Sequence, residues 1–148
     1  MIEPLLDLRL RQGVAEDAPA CAAILNRWID ATPWMPRVHP ADDMVRHYRE
    51  DVFAERAVWV AGDPVLGFLA LDTESGVVTA LYVGAPGQGI GTALLDRAKE
   101  GRSELELWTF VANEGARRFY AREGFGEVRR TEGDNEERLP DILFRWEA

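Results

Sequence analysis

The spacing of apolar residues predicts one strand and two helices in the first third of the chain. Leu6, Leu8 and Leu10 alternate with charged residues, which is the period of a strand buried on one side. Apolar residues then recur at helical spacing over residues 21–29 and again over residues 42–53. The two prolines within residues 32–36 separate these helices, because proline cannot continue a helix.

The rest of the chain switches between strand and helix patterns. Residues 57–61 and 65–71 flank a Gly-Asp-Pro turn and predict a β-hairpin, which a third strand at residues 77–83 extends. Helices are predicted at 92–100 and 114–123, strands at 104–109, 127–131 and 142–146, and a polar loop at 132–140.

The predicted order of elements is therefore β-α-α-β-β-β-α-β-α-β-β. Because no repeat or linker interrupts this order, we expect one domain over residues 1–148. The three consecutive central strands favour an α+β fold, in which helices flank a mixed and largely antiparallel sheet.

Composition and charge narrow the class of partner. The 148 residues include 17 Lys+Arg and 26 Asp+Glu, a net charge of −9, with 47% hydrophobic residues. This balance is typical of a globular domain. No basic block offsets the negative charge, so we expect no nucleic-acid partner, because phosphate binding needs a concentrated basic face.

Cysteine usage and hydropathy give three further expectations. The single cysteine, Cys21, cannot form an intramolecular disulfide, and no metal-ligand spacing surrounds it, so we predict no metal site. The first residues lack the pattern of a signal peptide. No stretch approaches the roughly 20 apolar residues of a membrane span. We therefore expect a cytoplasmic protein that is not associated with a membrane.

A glycine-rich turn at residues 84–91 joins the strongest predicted strand to a helix. Glycine lets the backbone approach a ligand, and the helix start offers free N–H groups and a partial positive charge. A phosphate or diphosphate is the natural ligand of such a turn. The turn has no lysine for a Walker A loop, and Thr92 stands where the dinucleotide fingerprint needs glycine. The alternative is a turn that only reverses the chain tightly.

Two stretches of sequence resemble the GNAT superfamily of acyl-CoA N-acyltransferases. The first is Ala80-Leu81-Tyr82-Val83 followed by Gly87-Gln88-Gly89-Ile90-Gly91-Thr92-Ala93-Leu94-Leu95. The second, Asn113-Glu114-Gly115-Ala116-Arg117-Arg118-Phe119-Tyr120-Ala121-Arg122-Glu123-Gly124-Phe125, is similar to the family signature N-x-x-A-x-x-F-Y-x-x-x-G-F at every fixed position.

The resemblance implies a fold, a cofactor and an activity. It implies a GNAT-like sheet and an enzyme that moves an acetyl group from acetyl-CoA (coenzyme A) to an amine. It further implies that backbone and side-chain groups near the glycine-rich turn bind the cofactor, namely Leu81, Tyr82, Val83, Gly87, Gln88, Gly89, Ile90, Gly91, Thr92, Ala93, Asn113 and Ala116.

The turn also departs from the family pattern. It is shorter than usual between Val83 and Leu94, and Pro86 stands where a Gln or Arg is common. Proline has no N–H to donate, so one contact to the diphosphate is missing or is supplied by Gln88.

The resemblance assigns the proton donor of acyl transfer to Tyr120, and position in the chain makes Asp72 a candidate for a second role. Tyr120 is the expected general acid for the leaving thiolate, since a phenol with a pKa near 10 is protonated at neutral pH. Packing beside Phe119 is the structural alternative for Tyr120. Asp72 ends a predicted strand and is a candidate to relay a proton through water, with a plain turn aspartate as the simpler interpretation. Asn113 can cap the following helix or bind the pantetheine, and these roles are compatible.

The expected acceptor is a primary amine of a small molecule, and a protein N-terminus or lysine is the alternative. Trp34, Met35 and His39 lie where members of the family often build the acceptor site, although Trp34 suits a hydrophobic core equally well. A non-catalytic acyl-CoA sensor is a second alternative. The sequence leaves the oligomeric state open, including a homodimer with Trp34 or Trp146 at its interface.

Overall fold

The computed structural model describes residues 9–148 and contains a seven-stranded sheet with helices on both faces. The strands lie in the order β1-β2-β3-β4-β5-β7-β6, and β4 and β5 form a parallel pair within a sheet that is otherwise antiparallel. The elements are β1 (Leu10–Gln12), α1 (Ala18–Ala31), α2 (Ala41–His47), α3 (Phe53–Glu55), β2 (Ala57–Ala61), β3 (Gly67–Asp72), β4 (Val77–Val83), α4 (Ile90–Lys99), β5 (Glu104–Phe110), α5 (Glu114–Arg122), β6 (Gly126–Thr131) and β7 (Asp141–Glu147).

The predicted fold class is confirmed, and the deviations from the predicted elements are local. Residues 1–8, which include the first half of the first predicted strand, lie outside the described part of the chain. The second predicted helix is interrupted by a π-helical turn at Tyr48–Val52 between α2 and α3. Helix α4 begins earlier than predicted because Gly89, with φ of 75°, adopts the left-handed conformation that starts it.

The sheet has two faces, which differ in what covers them. The face covered by α4 and α5, here called the α4 face, packs a core that runs along the sheet and includes Leu69, Leu94, Leu95, Leu105, Leu107 and Ile142. On the opposite face, here called the α1 face, helix α1 and the α2 segment pack on Val58, Val60, Phe68 and Ala70 from β2 and β3.

The α1 face is covered over the first strands of the sheet and is exposed over β5, β7 and β6. Leu105 and Leu107 point into the α4-face core. Because side chains alternate along a strand, Glu106 and Trp108 point to the α1 face. Trp108 is 39% exposed and lies under the guanidinium of Arg129, 4.9 Å from its ring. Arg145 of β7 binds Glu106 at 2.6 Å. We call this uncovered surface the open face.

Candidate active site

Strands β4 and β5 pair at only two positions and then separate. The parallel register joins Val77 to Glu106 and Val78 to Leu107, and no pair follows although both strands continue. The register of β3 against β4 shifts at the same level, which leaves Thr79 as an extra residue in β4. A cleft of about 480 Å³ occupies the opening between the two strands.

Strand β4 presents backbone groups to this cleft. The N–H of Gly84 donates to the carbonyl of Leu66, 2.7 Å away, so the polar groups of Gly84 point toward β3. Backbone groups alternate in direction along a strand, and those of Leu81 and Val83 therefore point into the cleft. Because β5 has moved away, they have no strand partner there and remain free for a ligand.

The start of helix α4 forms one end of the cleft. Gly87 and Gly89 both have positive φ, 82° and 75°, and no side chain caps the helix. The first N–H groups of α4 are therefore free and point at the cleft, as in an anion site. Gly91 allows α5 to pack closely, since a Cβ there would meet the ring of Phe119 at 3.0 Å.

Helix α5 brings Tyr120 to the inner wall of the cleft. Asn113 caps this helix, and its Oδ1 accepts a hydrogen bond from the N–H of Ala116 at 3.1 Å. The ring of Tyr120 is 8% exposed and packs on Phe125 and Phe144. Its hydroxyl makes no hydrogen bond to any residue of the described range. Every fully buried side-chain polar atom of residues 9–148 does have a partner, so the hydroxyl of Tyr120 is not fully buried. It therefore faces the open space of the cleft. Burial raises the pKa of Tyr120, which keeps the phenol protonated.

Three arginines of α5 lie in different environments. Arg122 lines the cleft together with the start of α4. Arg117 donates to the carbonyl of Val111 at 3.2 Å, and Arg117 and Arg118 both lie on the other side of the helix. Arg122 is thus the arginine of this group that can meet a bound anion.

Aromatic rings form the wall of the cleft on the α1 face. Trp28 of α1 lies 5.4 Å from Tyr82 and 5.8 Å from Trp34, measured between ring centroids. Trp34 in turn contacts the ring of Phe110 at 5.8 Å. The ring of Trp34 therefore links α1 to the end of β5 across the opening of the cleft. Trp34 packs within this cluster, and Met35 packs beside it on the α1-face core.

His39 connects two loops at the edge of the open face. Its Nε2 lies 3.1 Å from Oε2 of Glu136 in the loop between β6 and β7. Both side chains are largely exposed to solvent. His39 is therefore near the outer rim of the site and does not line the cleft itself.

Ten of the twelve residues predicted to bind the cofactor line this cleft, whereas Gln88, Ala93 and the predicted catalytic residue Asp72 do not. Gln88 is exposed in the turn, and Ala93 lies one turn inside α4. The carboxylate of Asp72 accepts hydrogen bonds from the N–H groups of Glu74 and Ser75, and these bonds lower its pKa. Asp72 is thus engaged by its own turn, and it does not line the cleft. The predicted cofactor-binding residues that line the cleft are Leu81, Tyr82, Val83, Gly87, Gly89, Ile90, Gly91, Thr92, Asn113 and Ala116.

The sequence interpretation missed several residues of the site. Trp28 has the spacing of a core residue of α1, yet it lines the cleft. Trp108, Thr109 and Phe110 end a strand with regular alternation, and nothing in that alternation indicates that the neighbouring strand diverges. The one signal in the sequence is that Trp108 stands at the strand positions otherwise occupied by Glu104 and Glu106, and the structure shows its ring 39% exposed.

Comparison with known families identifies the class of protein. A family profile described as an acetyltransferase (GNAT) domain matches residues 54–127, which run from α3 through the cleft to the start of β6. The chain therefore belongs to the GNAT acetyltransferase family. It is an acyl-CoA-dependent N-acetyltransferase whose cofactor is acetyl-CoA.

Two relatives with curated names are similar to this chain. The peptidyl-lysine N-acetyltransferase YiaC of Escherichia coli is 28% identical over 144 residues, which is 93% of this chain and 95% of YiaC. The uncharacterized N-acetyltransferase MJ1207 of Methanocaldococcus jannaschii is 52% identical over 46 residues. That second match spans 28% of this chain and 20% of MJ1207.

Solved structures have the same fold over nearly the whole chain. The apo form of YjaB from Escherichia coli superposes with a TM-score of 0.76 and 25% identity, over 94% of this chain and 97% of that one. The yncA structure from Salmonella typhimurium, which contains acetyl-CoA, superposes with a TM-score of 0.70 and 19% identity, over 95% of this chain and 93% of that one.

Two negative findings apply to residues 9–148. None of their helices is long and apolar enough to cross a membrane. They also contain no group of three or more His, Cys, Asp or Glu side chains that could hold a metal ion.

Proposed function

We propose that this protein transfers the acetyl group of acetyl-CoA to a primary amine of a small molecule by direct attack, with Tyr120 as the general acid. The observation that carries the proposal is the separation of β4 from β5 after Val78 and Leu107. It opens the sheet between the start of α4 on one face and the open face on the other. A donor and an acceptor that enter from opposite faces would meet at this opening.

The free backbone groups along the cleft suit the parts of acetyl-CoA. The N–H groups at the start of α4, together with Arg122, would hold the diphosphate, and the edge of β4 at Leu81 and Val83 would bind the pantetheine amides. Bound there, acetyl-CoA supplies an acetyl group activated as a thioester. A cleft-facing N–H of β4 would stabilise the negative charge that develops on the carbonyl oxygen.

Proton transfers follow from the groups that line the cleft. As the amine nitrogen bonds to the acetyl carbon, the carbon–sulfur bond breaks, and the hydroxyl of Tyr120 gives its proton to the sulfur. Tyr120 is protonated again from solvent. Among the described residues that line the cleft there is no Asp, Glu or His, so the proton of the amine passes to water. We therefore leave Asp72 out of the proposed mechanism.

A peptidyl lysine is the second candidate acceptor. The observation in its favour is the similarity to YiaC, a peptidyl-lysine N-acetyltransferase, over 93% of this chain. A lysine side chain and a small primary amine present the same nucleophile, so the proposed chemistry is the same for both. A homodimer remains a prediction, and Trp34 and Trp146 are both partly buried within the chain itself.

A thiol-release assay tests the proposal. Acetyl-CoA is offered with small amines and with lysine peptides, and free coenzyme A is measured. We expect release that depends on a small amine and an acetylated amine as the product. Tight binding of acetyl-CoA without turnover of any acceptor would instead establish the non-catalytic sensor. Turnover confined to peptides would replace the small-molecule acceptor with peptidyl lysine.

A further inference from the structure

A second cavity of about 400 Å³ continues the cofactor cleft onto the open face. The two share Trp108, Thr109 and Phe110 at the end of β5, so they meet around this strand end. The other walls of the second cavity come from β6, from the start of β7 and from the loop between them. We call it the acceptor cavity, since a molecule in it would lie on the opposite side of the opening from the start of α4.

The charged groups of the acceptor cavity are mainly carboxylates. Asp134, Glu137 and Asp141 line it, with Arg129 as the basic residue. Arg129 lies over the ring of Trp108, 4.9 Å from its centre. Asp141 is engaged inside the loop, because its oxygens accept hydrogen bonds from the hydroxyl of Thr131 and the amide of Asn135.

Two of these carboxylates are available to a ligand. Asp134 and Glu137 form no ion pair and accept no hydrogen bond from any residue in the described range 9–148. Glu137 is half-buried, in a region where an unpaired charge is less well solvated than on an open surface. A cation in the acceptor cavity would satisfy both carboxylates.

Glu137 lines the acceptor cavity and not the cleft, but its charge influences one residue of the cleft wall. Burial in the cleft and, secondarily, the negative charge of Glu137 raise the pKa of Tyr82 to about 12. This phenol lies on the aromatic wall, against Trp28. The carboxylate of Glu137 thus lies in the acceptor cavity, which meets the cleft at the end of β5.

The loop that carries these carboxylates is held in a fixed conformation. The side chain of Asn135 donates to the carbonyl of Leu139 at 2.7 Å and accepts from the N–H of Leu139 at 3.2 Å. Glu136 reaches across to His39. The cavity is thus preorganised, which lowers the entropic cost of binding a small ligand.

We propose that the acceptor is a small aliphatic diamine or polyamine, one amino group of which is acetylated while a second, protonated one binds Asp134 and Glu137. This inference rests on the proposed function and names its substrate class. A simple monoamine would lack the second contact. The net charge of −9 would also attract such a dication from solution.

The test compares α,ω-diamines with monoamines of the same chain length. In the thiol-release assay we expect kcat/KM for the diamine to exceed that for the monoamine at least tenfold. This ratio of kcat/KM values should fall about tenfold in Glu137→Gln, and further when Asp134→Asn is added. Glu132→Gln, which removes the same charge from the same loop but outside the cavity, should leave the ratio unchanged. Equal use of both amines, or an equal effect of Glu137→Gln and Glu132→Gln, would overturn the proposal.

A binding measurement separates this proposal from the proposed function. Calorimetry with the diamine alone should show equal affinity for the wild-type chain and for Glu132→Gln. The affinity of Glu137→Gln for the diamine should be about tenfold lower. Diamine binding that depends on Glu137, without any acetyl transfer, would contradict the proposed function and support the assignment of the acceptor cavity as a diamine site. Acetylation of lysine peptides without diamine binding would support the family activity and overturn the proposal that the acceptor is a diamine.

Discussion

The two parts of the α1 face use the same sheet for different purposes. Over β2 and β3 the face is covered by α1 and the α2 segment, and residues such as Phe68 are fully buried. Over β5 and β7 the same face stays open, with Trp108 39% exposed and charged pairs such as Arg145 with Glu106. The boundary between the two is the opening between β4 and β5. The covered part buries a hydrophobic core, and in the proposed function the open part leaves room for an acceptor beside the acetyl group.

The largest expected effect is on catalysis and concerns two buried tyrosines. Tyr120 lines the cleft, whereas Tyr48 packs on Phe68 in the covered part, and burial raises the pKa of both. We expect Tyr120→Phe to lower kcat by roughly 10²–10⁴-fold, because the leaving thiolate loses its proton donor. Tyr48→Phe should retain the wild-type kcat, and binding of acetyl-CoA should be similar in both variants. Equal kcat values for Tyr120→Phe and the wild type across the pH range would remove Tyr120 from the acid role.

The second effect is on stability and compares two aromatic residues on one face. Phe68→Ala should lower the free energy of unfolding by about 3–5 kcal/mol, since it leaves a cavity under α1. Trp108→Ala should lower it by less than about 1 kcal/mol, because its ring is partly solvated already. Urea unfolding followed by circular dichroism measures both. A loss at Trp108 as large as that at Phe68 would show that the open face is a hydrophobic core.

The third effect is on cofactor affinity and compares two exposed arginines of α5. Arg122→Ala should raise KM for acetyl-CoA about three- to tenfold, because Arg122 lines the cleft beside the start of α4. Arg118→Ala removes the same charge from the other side of the helix and should leave KM unchanged. Added salt should reduce the difference between Arg122→Ala and wild type. An identical KM shift in the two variants would assign the effect to net charge alone.

The smallest effect is the pH dependence of stability in the covered part. The guanidinium of Arg11 donates to the carboxylate of Asp17 at 2.7 Å and lowers its pKa below the ordinary 3.8. A lowered folded-state pKa stabilises the fold above the ordinary value, and this stabilisation is lost as pH falls through the folded pKa.

Urea midpoints between pH 7 and pH 3 measure this contribution. We expect Asp17→Asn to cost about 0.5 kcal/mol at pH 7 and less at pH 3, because Arg11 is partly exposed to solvent. Glu132→Gln in the loop of the open part should not change the midpoint at either pH. A cost of Asp17→Asn that does not change with pH would exclude the ion pair as its cause.

The sequence predicts what depends on local pattern. The order of elements, the glycine-rich start of α4 and the α5 motif up to Tyr120 all follow from residues close together in the chain. Gly89, for example, falls in the predicted glycine-rich turn, although its positive φ starts α4 slightly before the predicted position.

Contacts between distant segments were not predictable in the same way. His39 and Glu136 are 97 residues apart in sequence and meet only because two loops converge at the open face. Asp72 ends a strand as predicted, but its carboxylate is engaged by the backbone of its own turn. Trp28 has helical spacing, and only the divergence of β5 from β4 turns it into a residue of the cleft.

An NMR titration of backbone amides with acetyl-CoA tests the central claim most directly, since the chain of 16.6 kDa suits the method. The proposed geometry predicts the largest shift changes at Leu81 and Val83 and at the start of α4, with small changes over β6. Large changes in the loop of residues 132–140, with none at Leu81 or Val83, would place the cofactor on the open face and contradict the account.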